Sequence, residues 1–87
     1  MVISGIYIET ISGTAKLVSN ELGNIDGVEV HHIEKDYKII ITLETETVDQ
    51  SYRTAETFKK IDGVLAIYLA YTNFEDEPFY QEAASKE

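Results

Sequence analysis

Eighty-seven residues, 44% of them hydrophobic, suffice for one packed domain and leave no room for a second core. A net charge of −9, from 16 acidic against 7 basic side chains, argues against nucleic acid or an anionic membrane as partner and favours a cationic one. The absence of cysteine excludes disulfides, thiolate metal sites and thiol nucleophiles, and no stretch approaches the roughly 20 apolar residues of a membrane-spanning helix.

The amino terminus, Met1-Val2-Ile3-Ser4-Gly5-Ile6, lacks the basic start and long apolar core of a secretory signal, so a soluble cytoplasmic protein is expected. Residues 2–9 are rich in β-branched and aromatic side chains and read as a first strand. Ser12 or Thr14 can cap a following helix, whose apolar stripe is Ala15, Val18, Leu22 and Ile25 at spacings of three and four. Ile25-Asp26-Gly27-Val28 then turns the chain into a second strand near 28–33.

The polar stretch Glu34-Lys35-Asp36-Tyr37 is short enough to join this strand to Lys38-Ile39-Ile40-Ile41-Thr42-Leu43-Glu44 as an antiparallel hairpin. A second helix is expected over 47–60, with Val48, Tyr52, Ala55 and Phe58 facing inward. Thr47 is its cap, and Gln50 completes a capping box. Ile61-Asp62-Gly63-Val64 repeats the earlier turn 36 residues on and launches a fourth strand, 64–72. The repeat suggests two similar halves. Residues 74–87, acidic and with the only proline, read as a mobile tail on a domain of residues 1–73.

The order βαββαβ predicts an α+β, ferredoxin-like fold: a four-stranded antiparallel sheet with two helices on one face and strands two and four at its edges. The other face is then open. Strand alternation places Gly5, Tyr7 and Glu9 there, with Glu29, His31 and Ile33, Ile40, Thr42 and Glu44, and Ala66, Tyr68 and Ala70. Leu65, Ile67 and Leu69 go to the core. An apolar floor of Tyr7, Ile33, Ile40 and Tyr68 bordered by glutamates suits a peptide that is apolar along its length and basic at one end. The alternative use of such a face is a dimer interface.

Catalytic signatures are missing from the sequence. His31 and His32, adjacent on a regular strand, point to opposite faces and cannot share a metal. There is no nucleophile elbow and no glycine-rich phosphate loop, so a binding module without cofactor or metal is expected.

Four segments, Ile3–Ile8, Gly27–His31, Lys38–Glu44 and Gly63–Tyr71, resemble in order and spacing the NapD family, small cytoplasmic chaperones for the catalytic subunit of periplasmic nitrate reductase. The resemblance implies binding of the precursor's twin-arginine signal peptide, which delays export until cofactor insertion and folding are complete. On that reading Tyr7, Glu9, Ile40, Thr42, Glu44, Ala66 and Tyr68 are the candidate peptide contacts, and a monomer is expected. Two departures are a turn without glycine before Lys38 and Thr72-Asn73 in place of a histidine-containing step. The alternative is an amino-acid-sensing domain of the ACT or Lrp/AsnC type, acting as a dimer.

Overall fold

The structure, a computed structural model, describes residues 1–73; the expected tail, 74–87, lies outside the described residues. The elements are β1 (Val2–Thr10), α1 (Ala15–Leu22), β2 (Val28–Glu34), β3 (Lys38–Thr45), α2 (Val48–Phe58) and β4 (Val64–Asn73). The strands form one antiparallel sheet in the order β2-β3-β1-β4, so β2 and β4 are its edges. This is the ferredoxin-like arrangement. Both helices pack into a single core on one sheet face, built from Ile6, Ile8, Ile39, Ile41 and Leu43 against Ala15, Val18, Leu22 and Phe58.

The two Ile-Asp-Gly-Val turns share one geometry. In each, the valine N–H donates to the isoleucine carbonyl, at 3.1 Å for Val28 and 3.2 Å for Val64. The glycines have φ of 85° and 99°, which only glycine adopts without strain at the third position of such a turn. Each glycine carbonyl then accepts a bond from the other half of the chain. Glu44 of β3 donates to Gly27, and Ile11, just after β1, donates to Gly63, both at 2.8 Å. The halves β1-α1-β2 and β3-α2-β4 are thus clasped reciprocally.

The two helices start differently, and only α2 has a side-chain cap. Thr47 Oγ1 accepts from the Gln50 N–H at 3.1 Å, as expected of a cap. Gln50 Oε1 in turn accepts from the Glu46 N–H at 3.0 Å, one residue earlier than in a standard capping box. Thr14 occupies the cap position of α1, but its hydroxyl donates back to the Ile11 carbonyl at 2.7 Å instead of accepting from the helix. Ile25 falls beyond α1 yet still packs on the core.

Three expectations about the interior are corrected. The inward stripe of α2 runs through Ser51, Ala55 and Phe58, whereas Tyr52 is 65% exposed. Ser51 is tolerated inside because its hydroxyl donates to the Val48 carbonyl at 2.7 Å. The helix also stops at Phe58, two residues short of the expected end. Among the described side chains of β4, Val64 and Ile67 pack on the core, while Leu65 and Leu69 are exposed. Leu65 falls at a register shift, where Glu9 pairs with Ala66 and Thr10 with Val64. Leu69 faces the helix side opposite Ile6, but borders an open groove with Tyr52 and Ala55.

Two comparisons test this packing by urea denaturation. A Cβ on Gly27 would collide with the Glu44 carbonyl oxygen, whereas on Gly63 it would meet the Thr14 hydroxyl at 3.0 Å and Val18 at 3.1 Å. Gly27→Ala is therefore expected to cost at least about 3 kcal/mol, and Gly63→Ala about 1–2. Phe58→Ala should cost about 3–5 kcal/mol, against under about 1 for Tyr52→Ala. Equal losses at positions 52 and 58 would restore the helix face expected from the sequence.

Candidate functional site

The sheet face away from the helices carries alternate side chains of β1 and β3, and the pairing register fixes which. Tyr7 lies opposite Ile40 and Tyr68, Glu9 opposite Lys38 and Ala66, and Gly5 opposite Thr42. Ile8, between Tyr7 and Glu9, is fully buried on the other side, as are Ile39 and Ile41 around Ile40. All seven candidate contacts fall on the open face. They do not form one cluster.

At one end Tyr7 and Tyr68 meet edge to face, with ring centroids 5.3 Å apart and planes at 79°. The Tyr68 hydroxyl lies 3.5 Å from Glu9 Oε1, a long donor contact. Lys38 stands beside them, its ammonium 5.6 Å from the centre of the Tyr7 ring and 5.7 Å from that of Tyr37. Tyr7 first, then Tyr37, raises its pKa above the ordinary 10.5, and Glu34 adds to this. A lysine whose folded value is raised contributes its stabilising contact throughout the neutral range. That contribution fades only as pH climbs through the raised value. The face therefore carries a resident cation at physiological pH.

In the middle lies a shallow concavity of about 350 Å³, lined by Gly5, Tyr7, His31, Ile40, Thr42 and Ala70. Its floor is apolar because glycine and alanine leave the backbone low while Ile40 remains 38% exposed. Glu44 is six residues along β3 from Lys38, about 20 Å at strand rise, so it borders the far end of the face. Glu29, paired with Thr42, is nearer that far end.

Bulges alter the edges of the site. In β2 the register steps from Val30 opposite Ile41 to His32 opposite Ile40, which makes His31 the extra residue. Alternation reverses there. His32 joins the open face and Ile33, opposite Ile39, leaves it for the helix side, contrary to simple alternation. Both histidines consequently share one face. His31 Nε2 is 2.8 Å from the Thr42 hydroxyl and its Nδ1 is 4.0 Å from Glu29, while His32 Nε2 is 4.0 Å from Glu34. Among the described residues no group of three or more His, Asp or Glu side chains is placed to hold a metal. No helix among them is long and apolar enough to cross a membrane.

The sequence reading missed Lys38 as part of this face. Its position two residues before Ile40 was the available signal, since residues i and i+2 of a strand share a side. The turn before it lacks glycine, yet Lys35 and Asp36 take the left-handed conformation at φ 56° and 61°. That pair of positive angles closes a tight turn within the three-residue loop between Glu34 and Lys38, in which the Tyr37 N–H donates to the Glu34 carbonyl at 3.4 Å. The Asp36 carbonyl helps hold it by accepting from the Gly13 and Ala15 N–H groups at 3.0 and 3.3 Å.

The assignment of faces is testable at neighbouring positions. Ile40→Glu should cost under about 1 kcal/mol, whereas Ile41→Glu, which buries a carboxylate, should cost more than about 4. Thermal unfolding followed by circular dichroism distinguishes them.

Comparison with known proteins gives a consistent result. A solved structure from E. coli, described as the solution structure of the Tat proofreading chaperone protein NapD, superimposes with a TM-score of 0.75. The match covers 86% of this chain and 80% of that one at 24% identity, a likeness of fold. No curated protein sequence matches. The family model described as NapD protein matches residues 1–76. This chain belongs to the NapD family.

Proposed function

We propose that this protein is a cytoplasmic Tat proofreading chaperone. Its ligand is the twin-arginine signal peptide of a periplasmic nitrate reductase catalytic subunit precursor, and binding delays export until the cofactor is inserted and the subunit has folded. Membership of the NapD family over residues 1–76 carries this reading. The open face supports it independently, because its chemistry complements a peptide that is apolar along its length and basic at one end.

The peptide lies on the face as a helix. Its apolar segment covers Ile40 and Thr42, with the small Ala66 beside Glu9 leaving room at the basic end, and a span of about 20 Å accommodates roughly 13 helical residues. The arginines bind at the end bearing Tyr7, Tyr68 and Glu9, where aromatic faces and a carboxylate recognise a guanidinium by stacking and charge-assisted hydrogen bonding. Glu44, at the opposite end, supplies long-range attraction only. Addition of the peptide as a strand to β4 is disfavoured, although that edge carries no charged residue between Val64 and Asn73. Register shifts at Leu65 and Ala70 leave only Ala66–Leu69 as regular edge between them. The protein acts as a monomer, since a second copy on this face would exclude the peptide. Binding alone accounts for the activity, with no catalytic step.

Titration calorimetry with a synthetic twin-arginine signal peptide and its Lys-Lys version tests the reading. One-to-one binding is expected, weaker by about tenfold or more for Lys-Lys. Glu9→Arg should weaken binding about tenfold or more and Glu44→Arg about threefold or less, with unchanged circular dichroism. Absence of saturable binding would overturn the proposal. Equal affinity for the two peptides would remove the arginine end.

A further inference from the structure

The open face is acidic at its borders, yet one cation stands within it. Lys38 is the single lysine or arginine on the four strands of the described structure. Its register partners are Glu9 on β1 and Glu34 on β2, and its ammonium is shared between the Tyr7 and Tyr37 rings at 5.6 and 5.7 Å. Tyr7 in turn packs edge to face on Tyr68, whose hydroxyl approaches Glu9. Two aromatic rings, a carboxylate and a cation already in place make up a complete cation-binding constellation. The cation in it belongs to the protein.

We propose that Lys38 is a resident competitor: its ammonium occupies the aromatic seat beside Tyr7, and a guanidinium of the peptide binds there by displacing it. This rests on the peptide-binding reading of the same face and adds how the site is regulated and why it selects arginine. Displacement carries the same cost for any incoming cation. A lysine exchanges one ammonium for another and gains little. An arginine lays a flat guanidinium on the ring and presents a fork of N–H donors to Glu9, which offsets the cost. The common cost brings a lysine ligand toward no net binding at this end and leaves an arginine ligand bound but releasable, as a temporary mask requires. Lys38 does not travel far when displaced, because Glu34 on the neighbouring strand is its register partner and gives the freed ammonium a carboxylate nearby.

Two measurements on the full chain test this. Calorimetry compares the wild type with Lys38→Met, Lys38→Gln and Lys35→Met, the last removing the same charge from the preceding turn. Both substitutions at position 38 should tighten binding of the arginine peptide by about two- to fivefold. Lys35→Met should leave it within about 1.5-fold, as expected for an exposed, screened charge. In the wild type, the ring-current shifts of the Lys38 Hε protons should collapse toward free-lysine values as peptide is added. Peptide binding with those shifts retained, or with affinity unchanged or reduced in both position-38 variants, would overturn the proposal and leave the peptide reading standing. A gain of equal size in Lys35→Met would assign the effect to net charge and likewise overturn it. No binding by the wild type would remove both.

Discussion

Two backbone hydrogen bonds hold the arrangement on which the rest depends. The carbonyl of Gly27 accepts from Glu44 in β3 and that of Gly63 from Ile11 just after β1, each reaching from one half of the chain to the other. Their positive φ orients those carbonyls, and the missing Cβ at Gly27 lets its backbone approach Glu44 closely. A helix of eight residues and one of eleven would be marginal alone. They are stabilised by packing on Ile6, Ile8, Ile39, Ile41 and Leu43, and the glycine turns deliver β2 and β4 to the two edges of the same sheet. The clasp fixes the ends of both crossovers, and crossovers of one hand put both helices on one face and leave the opposite face open.

That open face has a gradient of chemistry along it. Aromatic rings, Glu9 and Lys38 stand at one end, a small-residue floor around Ile40 in the middle, and Glu29 and Glu44 toward the other end. In the proposed docking such a surface specifies direction as well as affinity, because only one peptide orientation brings its cationic end to the rings. The buried side of the same strands is mostly apolar, with Ser4, Thr10 and Thr45 as buried hydroxyl residues among Val2, Ile6, Ile8, Ile39, Ile41 and Leu43. Alternation thus gives one set of side chains to the core and leaves the adjacent set on the open face, which the proposed docking uses.

Much of this was legible in the sequence. The duplicated Ile-Asp-Gly-Val, the 3–4 spacing of Ala15, Val18 and Leu22, and the alternating run from Lys38 to Glu44 led to the element order, the sheet topology and the open face. Period-two alternation located Tyr7, Glu9, Ile40, Thr42, Glu44, Ala66 and Tyr68 on one side. It failed where the chain departs from period two. The extra residue at His31 reversed the faces of His32 and Ile33, and the shift at Leu65 took that side chain out of the core, while Ala66, Tyr68 and Ala70 kept the expected open face. A bulge is a pairing property of two strands, and no local composition announced these. Tyr52 was misplaced because its spacing suited the stripe as well as that of Ser51, and a buried serine bonded to its own helix looks polar in sequence. The role proposed for Lys38 rests on its distances to two rings, which only the folded register supplies.

The central claim is that the signal peptide docks on the open sheet face with its arginines toward the aromatic end. Amide and methyl chemical-shift mapping of the isotope-labelled full chain during titration with the twin-arginine peptide tests it most directly. The account predicts that the largest shifts fall on Tyr7, Glu9, Lys38, Ile40, Ala66 and Tyr68, with α1 and the outer face of α2 unmoved. Shifts concentrated on the groove between α2 and β4, around Tyr52 and Leu69, would contradict it.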